Sequence, residues 1–317
     1  MMTKRKLGNS GIEVRPLMFG GNVFGWTIDE AQSFQVLDAY AAAGFTFIDT
    51  ADMYSRWVPG HPGGESETIL GRWMKARGNR SRIVLATKCG LDMGDGKKGL
   101  SRRYILQAAE DSLRRLQTDY IDLYQSHTED PETPLEETLG AYADLIKQGK
   151  VRAIGASNYS PQRLEAALET SARLGIPRYE SLQPHYNLYD RAAYEQSLEP
   201  ICLRHGLGVI PYFALASGFL SGKYHSAADA RKSPRGEGIV KKYLNERGMR
   251  ILAALDAVAA NYQTKPASVA LAWLMARPGI TAPIVSATTL DQLQDLFKAV
   301  DLKLDHQAIQ SLNQASA

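Results

Sequence analysis

The sequence predicts an α/β fold, specifically a (β/α)8 TIM barrel whose N-terminal residues form a β-hairpin that caps the bottom of the barrel. Two observations support this prediction. Eight short apolar, β-branched runs recur along the 317 residues, and segments with helical periodicity lie between them. Alternating strands and helices are typical of a parallel sheet with right-handed crossovers, and an eightfold alternation in a chain of this length favours one barrel over a doubly wound sheet. We therefore expect a single domain that spans residues 1–317.

The predicted strands are the runs in which apolar and β-branched residues cluster. In chain order they are 17-LMFG, 46-TFID, 83-IVLATK, 121-IDLYQSH, 151-VRAIGASN, 181-SLQP, 208-GVIPYF and 283-PIVSA. Among the helix starts, Thr133-Pro134-Leu135-Glu136 has the spacing of a capping box with proline at the first helical position, and Ser160-Pro161 repeats the cap and the proline. Before the first strand, the Asn9-Ser10-Gly11 turn lies between short alternating runs and predicts the hairpin.

Composition and charge narrow the class of protein. With 44% hydrophobic residues, 22% charged residues and a net charge of +3, the chain is typical of a soluble globular protein and gives little reason to expect a nucleic-acid partner. The N-terminus lacks a signal-like apolar segment and no run is long enough to span a membrane, so we expect a cytoplasmic protein. Two cysteines make no disulfide framework, and the six histidines lack metal-ligand spacing, so no metal is expected.

Ionisable side chains stand at or just after the ends of three predicted strands, where a barrel carries its catalytic groups. Asp49 ends the second run and Tyr54 follows it, while Lys88 and His127 end the third and fourth. A neighbouring ammonium should lower the pKa of Tyr54 from its reference value of about 10, and Asp49 should keep Lys88 charged. With His127 holding a carbonyl oxygen, the four residues predict a proton-transfer site whose hydride donor is a cofactor.

The chain resembles the aldo-keto reductase superfamily along essentially its whole length. The resemblance rests on GFTFIDTADMYS, ATKCG, DLYQSH, IGASNYS, LQPHYN and PYFALASGFLSGKY. It implies that Tyr54 is the general acid/base, that Asp49 and Lys88 tune it, and that His127 orients the substrate carbonyl. It also implies a small-molecule aldehyde, ketone or sugar-like substrate and a monomer or homo-oligomer.

The same resemblance implies a nicotinamide cofactor. Ser157, Asn158 and Gln183 would contact the carboxamide, Tyr212 would stack on the ring, and the 213–223 segment would wrap the pyrophosphate with backbone N–H groups. The full implied set is Ser157, Asn158, Gln183, Tyr212, Phe213, Leu215, Ser217, Gly218, Lys223, Arg235, Thr288, Gln292 and Asp295. Relatives usually carry a basic residue at the position of Thr289, so NADP(H) is expected while NAD(H) stays open. Arg231, Lys232 and Arg235 could supply that charge or belong to a solvated basic loop.

The function implied is an NAD(P)H-dependent carbonyl reductase. Trp26 and Trp57 lie in loops after the first and second strands, where with Phe24 they either line a substrate pocket or pack against loop neighbours. One alternative is a nicotinamide-binding regulatory or redox-sensor protein similar to potassium-channel β-subunits, although no long N-terminal extension precedes the predicted barrel. Another is a polyol or sugar dehydrogenase, which differs in physiological direction. The formal GxGxxG of 94-GDGKKG-99 does not predict a dinucleotide fold, because five residues separate it from the preceding strand.

Overall fold

The fold of residues 4–233 and 235–317, described by a computed structural model, is a barrel of eight parallel strands preceded by a hairpin. The strands are β1 (Arg5–Lys6), β2 (Glu13–Val14), β3 (Met18–Gly20), β4 (Phe47–Asp49), β5 (Val84–Cys89), β6 (Ile121–Ser126), β7 (Val151–Ser157), β8 (Tyr179–Gln183), β9 (Gly208–Val209) and β10 (Ile284–Val285). Their order in the sheet is β10-β3-β4-β5-β6-β7-β8-β9. Backbone hydrogen bonds from Thr281 to Val209 (2.8 Å) and from Ile284 to Pro211 (2.9 Å) join the two edges and close the barrel. The predicted fold class is confirmed.

Helices follow the strands and cover the outside of the barrel. They are α1 (Glu30–Ala42), α2 (Glu65–Arg77), α3 (Arg102–Leu116), α4 (Leu135–Lys147), α5 (Pro161–Leu174), α6 (Glu199–His205), α7 (Gly236–Tyr243), α8 (Glu246–Asn261), α9 (Pro266–Met275), α10 (Leu290–Asp301) and α11 (His306–Ala315). Among the described residues, none of these helices is long and apolar enough to cross a membrane.

The two helix starts singled out in the sequence differ in outcome. Ser160 caps α5 as predicted: its hydroxyl accepts a hydrogen bond from the Arg163 N–H, and proline occupies the first turn. At α4 the predicted capping box is absent, because the Thr133 hydroxyl donates to Asp130 (2.7 Å) and Pro134 occupies the cap position itself. The competing carboxylate of Asp130 lies three residues upstream and draws the hydroxyl away from the helix.

The N-terminal hairpin closes the bottom of the barrel, as predicted. Strands β1 and β2 pair in antiparallel fashion. The side chains of Leu7, Ile12 and Val14 are buried and pack against barrel residues. This inner cluster also includes Met18, Phe47, Ala86, Leu123, Ala153, Ile210, Ala282 and Ile284. The hairpin therefore supplies apolar volume that the short strands alone do not provide.

Strand alternation explains why an apolar barrel ends in ionisable groups. Side chains two positions apart point to the same face, so Phe47 and Asp49 both point inward from β4, as do Ala86 and Lys88 from β5. The inner face is apolar in the middle of the barrel and polar at the carboxyl ends of the strands. Cys89 points to the opposite face and is buried in the outer core, where burial raises the pKa of its thiol to about 12. Its side chain therefore serves as core packing.

Candidate active site

The ammonium of Lys88 lies at the centre of the predicted catalytic residues. Its Nζ atom donates to the Asp49 carboxylate (2.7 Å), to the Thr50 carbonyl (2.8 Å) and to the Tyr54 hydroxyl (2.9 Å). Lys88 is 0% exposed and Asp49 is 1% exposed. Burial lowers the pKa of Lys88, and the Asp49 carboxylate opposes that change. All three donors of the ammonium are used, so its position beside the phenol is fixed.

The structure corrects the predicted direction of the Tyr54 pKa. We expected the neighbouring ammonium to lower it, whereas burial of the hydroxyl raises it well above its usual value, and Asp49 raises it further. The Tyr54 hydroxyl donates to Asp49 Oδ2 over 2.9 Å, which favours the protonated phenol. The sequence indicated that the Lys88 ammonium lies near Tyr54. It did not indicate that the Tyr54 hydroxyl is buried away from water or that it donates to Asp49. Tyr54 is therefore an acid that holds its proton.

His127 stands opposite Tyr54, with the two ring centroids 6.0 Å apart. The backbone N–H of His127 donates to the Cys89 carbonyl, which fixes the residue just beyond β6. Burial lowers the pKa of His127 well below its usual value, and the charge of Lys88 lowers it further, so the imidazole is neutral. The buried Nδ1 atom has no hydrogen-bond partner among the described residues. A neutral imidazole retains one N–H that can be donated to an oxygen.

A second layer of charge behind the catalytic residues was not predicted. The Glu67 carboxylate is fully buried, accepting hydrogen bonds from Arg115 (2.6 Å) and Thr87 (2.5 Å). Asp52 is 2% exposed, and among the described residues neither of its carboxylate oxygens accepts a well-formed hydrogen bond. Burial, together with Glu67, raises the pKa of Asp52 to about 8. The sequence signal for Asp52 was its place in 51-ADMY, three positions after Asp49 and two before the tyrosine.

The residues implied to contact the carboxamide form one hydrogen-bonded group. The Gln183 amide nitrogen donates to Asp49 Oδ1 over 3.0 Å, and the Ser157 hydroxyl donates to the Gln183 carbonyl over 2.9 Å. Asn158 donates to the His127 carbonyl and accepts from the Tyr212 hydroxyl (2.8 Å). Asn158 has a left-handed backbone (φ 53°), an uncommon conformation that asparagine tolerates. The structure thus brings these three residues, and Tyr212 with them, to the edge of the candidate site.

The 213–223 segment forms a tight turn with an unusual backbone. Phe213, Ala216, Ser217 and Gly218 all have positive φ, and a short 3-10 helix spans Ala216–Ser221. The N–H groups of Ala216 and Gly218 are already bonded within the turn, to Phe213 and Leu215. The Lys223 ammonium lies beside Gly218, where an added Cβ would stand 3.5 Å from Nζ. Phe213 is 44% exposed. The turn and its cation lie together, although part of the backbone is engaged internally.

The C-terminal residues implied for the cofactor lie around the start of α10. Thr289 caps this helix, and the Gln292 amide oxygen accepts hydrogen bonds from the Thr288 N–H and hydroxyl. Asp295 is ion-paired with Lys265 over 2.6 Å. Lys265, which immediately precedes α9, was not predicted from the sequence. It brings a positive charge to a segment that has no basic residue at Thr289.

The long loop after β9 reaches the predicted substrate pocket. The Arg235 guanidinium lies 4.4 Å from the centre of the Trp26 ring, and Trp26 contacts Trp57 edge to face with centroids 5.3 Å apart. Trp57 is 5.9 Å from the Tyr54 ring and 43% exposed. The structure corrects the prediction that Phe24 lines the substrate pocket. Its side chain is 0% exposed and stacks on Phe19 in the core.

The other two basic residues of the same loop stay at the surface. Lys232 donates to the Lys223 carbonyl over 2.8 Å and pairs with Asp229, while Arg231 is exposed. Arg235 is thus the member of this basic group that lies against the barrel mouth. Among the described residues it has no carboxylate within ion-pair distance, and burial lowers its pKa.

Comparison with known proteins accords with this arrangement. A sequence model of the Aldo/keto reductase family matches residues 16–317. The chain is 36% identical over 315 residues to the "Uncharacterized oxidoreductase YrpG" of Bacillus subtilis (strain 168), covering 97% of this chain and 94% of that protein. It is 32% identical over 308 residues to a "Probable voltage-gated potassium channel subunit beta" of Arabidopsis thaliana (95% and 92% covered). It is 31% identical over 341 residues to the "Versiconal hemiacetal acetate reductase" of Aspergillus parasiticus (99% and 96% covered). The chain therefore belongs to the aldo/keto reductase family.

Proposed function

We propose that this oxidoreductase is an NAD(P)H-dependent carbonyl reductase that converts small aldehydes or ketones to alcohols, with Tyr54 as the general acid. The observation that carries the proposal is the Lys88 ammonium held between Asp49 and the Tyr54 hydroxyl at 2.7 and 2.9 Å. A phenol with a raised pKa is protonated at neutral pH, which is the state that reduction requires. A bound nicotinamide would supply the hydride, for which side chains offer no source.

Each catalytic side chain then has one task. The Tyr54 hydroxyl would give its proton to the substrate oxygen as negative charge develops there. Lys88, 2.9 Å from that hydroxyl, would stabilise the phenolate left behind. Neutral His127 would donate its ring N–H to the same oxygen and so fix the carbonyl in the pocket. Asp49 would keep the ammonium in place through the 2.7 Å contact.

Several features of the site fit a nicotinamide cofactor. Tyr212 has one ring face covered by His185, so the other face is the one available for stacking. Gln183 uses its amide nitrogen within the protein, toward Asp49 and Gln125, and its amide oxygen remains as an acceptor for a carboxamide. Lys223 beside the turn at Gly218 suits a pyrophosphate. Phe213, Leu215 and Ser217 would complete that turn, and Thr288, Gln292 and Asp295 would face the adenosine end.

NADP(H) is the cofactor we favour, because the chain offers two cations, Arg235 and Lys265, although position 289 carries threonine rather than a basic residue. Arg235 approaches the barrel mouth without a carboxylate partner among the described residues, and Lys265 pairs with Asp295. A 2′-phosphate is bound best by such groups. NAD(H) would be the better ligand if neither cation reaches the phosphate.

The test is the absorbance of reduced nicotinamide, followed with purified protein, a reactive aromatic aldehyde, and either NADPH or NADH. We expect aldehyde-dependent oxidation with NADPH as the preferred donor. The reverse reaction, with polyols and NADP⁺, is measured beside it. Faster turnover in the reverse direction would make the protein a polyol or sugar dehydrogenase instead.

A second candidate is a nicotinamide-binding sensor. Its specific support is the 32% identity to the potassium channel subunit beta relative over 95% of this chain. A sensor would retain the bound cofactor yet oxidise it extremely slowly with every aldehyde supplied. Tight binding of NADPH without measurable turnover would therefore favour this candidate over the reductase.

A further inference from the structure

His185 separates the Tyr212 ring from a carboxylate. The imidazole stacks on Tyr212 with centroids 5.4 Å apart and an interplanar angle of 17°. Its Nε2 atom lies 3.1 Å from Asp190 Oδ2. The two residues are partly buried, with 31% and 24% of their side chains exposed. A titratable ion pair therefore lies behind the ring face opposite to the one proposed for nicotinamide.

The remaining neighbours hold this pair in position. The Asp190 carboxylate accepts a hydrogen bond from the Tyr243 hydroxyl (2.8 Å), and Lys242 from α7 lies 3.4 Å away with half of its side chain exposed. Asn187 is within 3.5 Å of His185 and its amide oxygen accepts the Asp190 N–H. Phe213 contacts the imidazole edge to face at 5.5 Å. Among the described residues, Lys242 is the one other charged group that contacts the pair.

The charge of Asp190 affects the pKa of the Tyr212 hydroxyl. Burial raises the pKa of the Tyr212 hydroxyl, and the Asp190 carboxylate raises it further. Burial works against the charged form of Asp190 itself, but hydrogen bonds from His185 and Tyr243 and the charge of Lys242 hold the pKa of that carboxyl below its usual value. Asp190 is thus a permanent anion at neutral pH, and the charge of His185 decides whether it is neutralised.

We propose that the His185–Asp190 pair tunes the balance between oxidised and reduced nicotinamide through the charge that it places behind Tyr212. The inference rests on the proposed cofactor role of Tyr212. An oxidised nicotinamide ring is cationic and a reduced one is neutral, so a nearby anion favours the oxidised form and a nearby cation disfavours it. His185 carries charge only when protonated. His185 and Asp190 are positioning residues, since they act through the Tyr212 ring.

The direction of the effect follows from the net charge of the pair. At low pH the protonated imidazole cancels the carboxylate, and binding of the oxidised cofactor loses its electrostatic advantage. At high pH the carboxylate is left uncancelled and the oxidised cofactor binds more tightly relative to the reduced one. A charge placed behind the Tyr212 ring in a partly solvated site should change the ratio of the dissociation constants for oxidised and reduced cofactor by about threefold to tenfold.

The experiment measures dissociation constants for the reduced cofactor by fluorescence and for the oxidised cofactor by competition, at about pH 6 and about pH 9. The NADP pair or the NAD pair is used, whichever binds more tightly. The readout is the ratio of the two constants, in which the titration of any cofactor phosphate cancels. We expect this ratio, oxidised over reduced, to fall with rising pH in the wild type. In His185→Gln it should be independent of pH and close to the high-pH value of the wild type.

The Asp190→Asn variant should raise the ratio at about pH 9 by about threefold to tenfold, because the anion is lost. If that variant does not fold, Lys242→Met also tests whether charge behind Tyr212 controls the ratio. It removes the cation 3.4 Å from Asp190 and should therefore lower the ratio.

The matched control is His205→Gln. His205 pairs with Glu165 over 2.9 Å at similar exposure, 27% and 28%, on the helical outside of the barrel, and this variant should follow the wild type. An unchanged pH dependence in His185→Gln, or a ratio unaffected by both Asp190→Asn and Lys242→Met, would overturn the inference. Failure of the wild type to bind either cofactor form would instead overturn the proposed function.

Discussion

Replacing Lys88 with methionine should destabilise the fold measurably, because the change strands a buried carboxylate. The substitution removes three hydrogen bonds of 2.7 to 2.9 Å and leaves Asp49, which is 1% exposed, without its counter-ion. Breaking a buried ion pair by removing one partner costs about 3–5 kcal/mol. Asp49 keeps two donors, the Tyr54 hydroxyl at 2.9 Å and the Gln183 amide at 3.0 Å, which places the expected loss near the lower end, about 3 kcal/mol.

The assay is a double-variant cycle by urea unfolding at neutral pH. Lys88→Met should lose about 3 kcal/mol of unfolding free energy, and the further change Asp49→Asn should recover most of that loss, because a neutral pair of similar size carries no stranded charge. Both variants should be nearly inactive. A loss below about 1 kcal/mol for Lys88→Met, or no recovery in the double variant, would refute the view that the charge of Lys88 compensates Asp49.

Three further predictions concern stability and cofactor choice. The pKa of Asp52 in the folded state is raised to about 8. The stability that its protonated carboxyl contributes is therefore fully present below the pKa of the unfolded state, and it is lost as the pH rises through about 8. Asp52→Asn should therefore gain about 2 kcal/mol or more relative to wild type between about pH 4 and 9 in urea unfolding; a constant difference would contradict this. Arg235→Gln should raise the KM for NADPH about tenfold while leaving that for NADH unchanged, and equal changes for both would remove Arg235 from phosphate recognition. Leu7→Ala should cost about 2–5 kcal/mol in thermal or urea unfolding, since its fully buried side chain fills the barrel bottom; a cost below about 1 kcal/mol would mean that the hairpin is dispensable.

Much of the fold could be predicted because its signals are local. Each barrel strand is a short apolar run, and the strand period of two places Asp49 and Lys88 on the same inner face as Phe47 and Ala86. The hairpin was predicted from the Asn9-Ser10-Gly11 turn between two short alternating runs. In these cases the residues that determine the structure are close together in the sequence.

The parts that were missed depend on contacts between distant residues. The pKa of Tyr54 rises because its hydroxyl is buried and donates a hydrogen bond to Asp49. The residue types alone predict neither the burial nor the direction of this hydrogen bond. The pairing of Glu67 with Arg115 joins residues 48 positions apart. Phe24 was assigned to the pocket from its place in a loop, but its ring packs onto Phe19 instead.

Position also separates the proposed cofactor residues whose placement follows from the predicted fold from those whose placement does not. Asn158 and Gln183 follow or end strands, so their place at the barrel mouth follows from the fold. Arg235 lies in a long loop whose path no periodic pattern predicts. Lys265 reaches Asp295 only because α9 packs against α10.

The most direct test of the central claim compares wild type, Tyr54→Phe and the control Tyr262→Phe, which lies at the end of α8. Aldehyde-dependent oxidation of NADPH and the dissociation constant for NADPH are measured for all three. We expect Tyr54→Phe to lower kcat by about 10²–10⁴ with nearly unchanged NADPH affinity, because it removes the proton donor but none of the residues proposed to bind the cofactor. Tyr262→Phe should match the wild type. Activity of Tyr54→Phe within a few-fold of wild type would contradict the assignment of Tyr54 as the general acid.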